Sequence, residues 1–202
     1  MAFLYEKCTL KVYDEATLKN TSPFDCGNSD LNDFFASDVI DYSSQLLGKS
    51  YCFTLDSDEK QIVAAFTISN DSIKTVSLPN ARKKKVNADI PRPKQMKSYP
   101  AVLIGRLGVS VQFRNLENEE KSIGDQLMDF IKSWFIDHAN KTGCRFIVVD
   151  SYNSIAPLKY YKRNGFIELF SSDEQEKDFM GIPMDARLNT RLLYFDLILL
   201  TR

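Results

Sequence analysis

Two apolar runs bracket an amphipathic segment in the middle of the chain. The runs are AVLIGRLGVS (101–110) and RFIVVD (145–150). Continuous apolar runs of this length suit strands covered on both faces, often in parallel pairing. Between them, apolar residues at 123, 127, 130, 131 and 134 recur at helical spacing and make one buried stripe. The helix ends near Asn140, and Gly143 offers a stop. A strand–helix–strand succession of this kind predicts a right-handed crossover inside one sheet.

The flanking segments extend that sheet. CTLKVY (8–13) alternates and reads as a first strand, while YCFTLD (51–56) and IVAAFTISN (62–70) read as a strand pair around the turn SDEKQ. Leu31, Phe34, Phe35, Val39, Tyr42 and Leu46 share a helical face, with Asn28 or Ser29 as cap and Gly48 as stop. Further on, SIAPLKYYKRN (154–164) reads as a short helix with Pro157 in its first turn. GFIELF (165–170) and RLLYFDLIL (191–199) read as strands, and the acidic SSDEQEKD between them as a loop. The expected class is α/β: a single domain over residues 1–202 with a mixed central sheet flanked by helices.

Composition excludes several functions. At 202 residues, 44% hydrophobic and 26% charged, the chain is an ordinary globular one. Its net charge of −1 gives no whole-molecule case for nucleic acid. One stretch departs from this balance. Between Ala81 and Lys97 stand Arg82, Lys83, Lys84, Lys85, Arg92, Lys94 and Lys97, against the single acid Asp89. Pro91 and Pro93 argue for a loop there, either solvated or a landing surface for phosphates. Cys8, Cys26, Cys52 and Cys144 form no C-x-x-C pair and His138 is the one histidine, so reduced core thiols and no metal are expected. The N-terminus has no signal-peptide pattern, and no uncharged apolar run approaches the roughly 20 residues of a membrane span. Cytoplasmic location and no membrane partner are the expectation.

Three segments, LIGRLGVS, SIGDQLMDFI and LKYYKRNGF, resemble in order and spacing the core of the GCN5-related N-acetyltransferases, the GNAT superfamily. LKYYKRNGF is the most specific, matching the family's Phe-Tyr-x-x-x-Gly-Phe signature with Tyr160 at the Phe position. FDCGNSDLNDFF, together with RLGV, resembles the branch that includes toxins acetylating the amino group of aminoacyl-tRNA. The resemblance runs from about residue 5 to about residue 200 and is firmest over 101–168.

The resemblance implies a single GNAT-like domain in which acetyl-CoA, the co-substrate, sits where parallel strands 101–110 and 145–150 splay apart. Leu107, Gly108 and Val109 would pair with the pantetheine arm. The pyrophosphate would meet the helix start at Ile123, where unpaired N–H groups and the positive dipole end favour an anion. The family pattern at this loop is Gln/Arg-x-x-Gly-x-Gly/Ala. Here Arg114 takes the first position, Ser122 stands where the middle glycine is usual, and Gly124 closes it. The extra acidic piece LENEEK (116–121) lies between them, and its glutamates would weaken phosphate binding unless the insertion bulges away.

Acetyl transfer to an amine needs a neutral amine, a donor for the oxyanion and a proton for the leaving thiolate. By resemblance, Tyr161 is the general acid and the Val109 backbone N–H the oxyanion donor. Many family members carry a base glutamate on the strand before the loop, yet LIGRLGVS has no carboxylate. That absence leans towards an acceptor of low pKa, such as an α-amino group near 7.7–8.0, rather than a lysine near 10.4. Asp150 acts as base or water holder, or only caps its loop. Asn153 assists the CoA arm or orders the turn. Arg106 pairs with Asp150, or faces acceptor or cofactor. The acceptor is then a small-molecule amine or an aminoacyl-tRNA, and a homodimer, common in that branch, is left open. The alternative is a non-catalytic or weakly CoA-binding GNAT-fold interaction module.

Overall fold

The computed structural model describes residues 2–93, 97–116 and 119–202. Lys94 of the basic run and Glu117 and Asn118 of the acidic insertion lie outside them. Seven strands, β1 (Cys8–Val12), β2 (Lys49–Leu55), β3 (Asp58–Lys74), β4 (Ser98–Val109), β5 (Phe146–Tyr152), β6 (Ile167–Glu168) and β7 (Thr190–Asp196), form one mixed sheet in the order β1-β2-β3-β4-β5-β7-β6. The helices are α1 (Phe3–Lys7), α2 (Glu15–Asn20), α3 (Ser29–Asp33), α4 (Val39–Ser44), α5 (Asn80–Val86), α6 (Ile123–Ile136), α7 (Ile155–Arg163) and α8 (Asp173–Met180). The fold class is α/β, as expected. Contacts divide the chain into two compact units. One comprises residues up to Ser69 with Ile104–Trp134, the other Asn70–Leu103 with Phe135–Arg202, so β3 and β4 each run through both.

In the first unit, β1 and β3 flank β2 in antiparallel register, Val12 opposite Tyr51 and Tyr51 opposite Phe66. Side-chain alternation then sorts the two faces. Cys52 and Ala65 point into a buried cluster with Tyr13, Phe24, Cys26, Phe34, Phe35 and Val39. Tyr51, Phe53 and Phe66 point the other way, onto Phe130 and Trp134 of α6, with Tyr51 and Trp134 ring centroids 4.9 Å apart. The helix expected from Leu31 onward runs as α3, a π-helical turn at Phe34–Asp38, and α4. It ends before Gly48, where a Cβ would stand 2.7 Å from the Tyr42 ring and 2.8 Å from the Ile68 carbonyl oxygen.

In the second unit, β7 lies antiparallel to both β5 and β6. Phe146, Val148, Tyr194, Leu169 and Phe170 form its core with Ile73, Leu78, Val86 and Tyr99. Two segments read as loops are helices. The run read as a basic loop begins with α5, whose Ala-Arg-Lys-Lys-Lys composition favours helix. Pro91 and Pro93 act only beyond its end. Val86 buries into the core, and Arg82 donates to the Ser171 hydroxyl (2.8 Å) and the Phe170 carbonyl (3.1 Å). The acidic loop is α8, capped by Ser172 and closed by Gly181 at φ +68°. It is pinned by Glu176, fully buried, which accepts from Arg191 Nε at 2.6 Å and from the Leu192 backbone N–H. Burial pushes the Glu176 carboxyl up from its ordinary range, against the pull of Arg191. Strand 165–170 shortens to the two residues of β6.

All four cysteines are free thiols, three of them buried. Among the described residues, no helix is long and apolar enough to cross a membrane.

Candidate active site

The end of β4 is fixed by the FDCG segment. A Cβ on Gly108 would lie 3.1 Å from both Phe24 Cε1 and Cys26 Cβ, so a side chain here would press on both. The segment is stitched in place. Asp25 Oδ1 accepts from the Gly27 N–H (2.7 Å) and from Asn32 Nδ2 (2.8 Å), and Asn32 Oδ1 accepts from the Cys26 N–H (2.9 Å). The Val111 N–H donates to the Asp25 carbonyl at 3.0 Å. Arg114 completes the clamp, donating from Nε to the Val109 carbonyl (3.3 Å) and from Nη2 to the Cys26 carbonyl. Its guanidinium is therefore engaged by backbone at the end of β4. Leu107 is half-buried and Val109 buried.

At the start of α6 the donors are partly committed. Ser122 Oγ accepts from the Asp125 N–H at 3.2 Å and donates to Asp125 Oδ2 at 2.8 Å. This is a helix cap, and the Ser-x-x-Asp spacing that signals it was already present in SIGD. Asp125 and Gln126 are the residues that sequence reasoning missed here. Gln126 Nε2 donates to Glu119 Oε2 at 2.9 Å, and the Phe3 N–H reaches the same oxygen at 3.4 Å. Gln126 Oε1 in turn accepts from the Leu4 N–H at 3.0 Å. So Glu119 of the acidic insertion is drawn onto α1. Lys121 pairs with Asp129 at 2.6 Å. Ile123 is buried under the first turn, and Gly124 is half-buried beside it. The Asp125 carboxylate therefore stands in the first turn of α6, hydrogen-bonded to Ser122.

In the second unit, α7 carries Tyr161 between the rings of Tyr160 (5.1 Å) and Phe166 (5.4 Å). The Phe166 N–H donates to the Tyr161 carbonyl, as Gly165 at φ +80° turns the chain out of the helix. Burial pushes the Tyr161 phenol above its ordinary value, so it stays protonated at physiological pH. Among the described residues no hydrogen bond engages its hydroxyl. Asp150, opposite Leu192 in register, is exposed, and among the described residues nothing pairs with its carboxylate. Asn153 orders the turn after β5, donating from Nδ2 to the Leu188 carbonyl (2.8 Å) and from its backbone to Asn189 (2.7 Å).

Arg106 lies over the Phe34 ring at 4.8 Å and donates from Nη1 to the Gly105 carbonyl at 3.0 Å. It shares a strand face with Gly108, towards the cluster that holds Phe24 and Phe34.

No family model matches the chain, and no curated protein matches it. Solved structures do. AtaT complexed with acetyl-methionyl-tRNAfMet superposes with a TM-score of 0.63 at 19% identity, over 96% of this chain and 97% of that one. A Tyr-to-Phe mutant of KacT gives 0.63 at 17%, over 97% and 98%. AtaTR bound with acetyl-CoA gives 0.60 at 19%, over 98% and 99%. The chain thus shares the fold of AtaT and KacT over nearly the whole length of each.

Proposed function

We propose that residues 1–202 form one acetyltransferase domain that moves an acetyl group from acetyl-CoA to the α-amino group of an aminoacyl-tRNA. The observation that carries this reading is Tyr161, a half-buried phenol between the rings of Tyr160 and Phe166, with no hydrogen bond engaging its hydroxyl among the described residues. It stands in a fold shared with AtaT, a protein captured with acetyl-methionyl-tRNA.

Acetyl-CoA supplies an acyl group activated as a thioester. The backbone of Leu107–Val109 holds the pantetheine arm, and the Val109 N–H donates to the acyl oxygen. Backbone N–H groups at Ser122–Gly124 hold the pyrophosphate. Tyr161 gives its phenolic proton to the departing sulfur as the amine nitrogen bonds to the acyl carbon. Asp150, exposed and with no ion-pair partner among the described residues, takes the proton that nitrogen sheds, directly or through water. Because β4 carries no carboxylate, the acceptor must arrive partly neutral, which an α-amino group of pKa near 7.7–8.0 does. The α5 lysines Lys83, Lys84 and Lys85 serve the RNA backbone.

Tyr161→Phe tests the acid. Turnover should fall at least about tenfold while acetyl-CoA affinity holds within about twofold. Full turnover in this variant would remove Tyr161 from the mechanism. A chain that binds acetyl-CoA yet transfers to no amine would be the interaction module instead.

A further inference from the structure

Among the described residues, several arginines are held by partners distant in sequence, and Arg106 is not. Arg82 binds Ser171 and Phe170, Arg114 two backbone carbonyls, Arg145 Asp196 at 2.7 Å, and Arg191 three carboxylates. Among the described residues, Arg106 meets the carbonyl of its own neighbour, Gly105, and the Phe34 ring. Its Nε is buried without a hydrogen-bond partner, and among the described residues no carboxylate pairs with it. A guanidinium cannot shed its proton, so an unpaired one held partly out of water carries an unmet demand for an anion.

The surroundings shape that demand. The ring of Phe34, at the head of the π-helical turn, lies 4.8 Å from the guanidinium carbon, within cation–π range. The N–H donors lie in the guanidinium plane, in the fork geometry that suits a phosphate. Strand alternation places Arg106 on the face of β4 that carries Phe24, Cys26 and Phe34, whereas α6 covers the opposite face through Phe130 and Trp134. A phosphate bound by Arg106 would therefore be distinct from one bound at the start of α6.

We infer that Arg106 binds a phosphate of the nucleotide that carries the acceptor amine, an inference that rests on the aminoacyl-tRNA reading above. Arg106 thereby sets acceptor position and specificity rather than acid–base chemistry. It selects amines borne on a phosphorylated carrier over free amines.

The test compares wild type, R106Q and R106K in acetyl transfer to bulk aminoacyl-tRNA across a salt series, with thermal melts of each. R106Q should raise KM for aminoacyl-tRNA about tenfold or more and leave KM for acetyl-CoA unchanged. It should flatten the slope of log affinity against log salt by about 0.7 to 0.9. R106K, which keeps charge but loses the fork, should fall between. Melting temperature should hold or rise in R106Q, because an unpaired charge has been removed. A KM change confined to acetyl-CoA would assign the phosphate to the cofactor and overturn the inference. So would an unchanged KM and slope, or a fall in melting temperature with equal loss for both substrates. Any of these, with the wild type active, leaves the acetyltransferase reading standing. A wild type that transfers to no aminoacyl-tRNA overturns both.

Discussion

Replacing Asp125 by Asn should tighten acetyl-CoA binding. The carboxylate accepts from Ser122 Oγ at 2.8 Å, and an Asn carbonyl can keep that bond without the charge. If a phosphate oxygen held by the backbone N–H groups at the start of α6 lies about 4.6 Å from Asp125 Oδ2, like charges face one another there. Two unit charges at about that separation repel by roughly 0.9 kcal/mol in water. Physiological salt trims this to about 0.5 kcal/mol. A pyrophosphate brings about two charges, so the repulsion is about 1 kcal/mol, or roughly 5-fold in Kd. Calorimetric titration of acetyl-CoA into wild type and D125N at about 0.15 M salt measures it. The gain should shrink at about 1 M salt, where the Debye length is about 3 Å. It should vanish for acetyl-pantetheine, which lacks the pyrophosphate. Unchanged or weaker binding by D125N would show that no phosphate lies beside Ser122.

Other consequences concern the scaffold. Gly48→Ala forces a methyl against the Tyr42 ring and the Ile68 carbonyl, and should cost about 1 to 3 kcal/mol, read as a melting-temperature loss of several degrees. Arg191→Met strips the buried Glu176 of its cation and should cost about 3 to 5 kcal/mol in urea unfolding at neutral pH. The Glu176 pKa is already raised by burial, so a further rise makes the protonated form the stable one. Stability tied to a raised carboxyl is present below its unfolded pKa and lost as pH rises. The R191M deficit should therefore be smaller near pH 5 than at pH 7, and an equal deficit at both would contradict it.

What was readable in the sequence tracks where local signals agreed with tertiary demand. The run 101–110, the stripe from Ile123 to Trp134 and the run 145–150 became β4, α6 and β5 because one burial pattern dictated each. The basic run is misleading because Pro91 and Pro93 lie beyond the end of the helix formers that make α5. The acidic run misled because polarity stood for loop, although Ser172 and Gly181 mark a helix start and stop. The decisive partner of Glu176 is Arg191, and no local pattern announces a pairing across that distance. At the candidate site, Ser122 and Gly124 drew notice as a phosphate loop, while the cap formed with Asp125 was legible in SIGD and passed over. Arg106 was legible only as an unplaced charge, because the π-helical turn that brings Phe34 under it has no sequence signature.

Acetyl transfer itself tests the account most directly. Purified protein would be incubated with acetyl-labelled acetyl-CoA and aminoacyl-tRNA, and the ester-linked amino acid recovered for mass analysis. The account predicts label on the α-amino group, one free CoA per acetylated amine, and loss of both with Tyr161→Phe. A folded protein that binds acetyl-CoA but leaves every aminoacyl-tRNA unacetylated would contradict it.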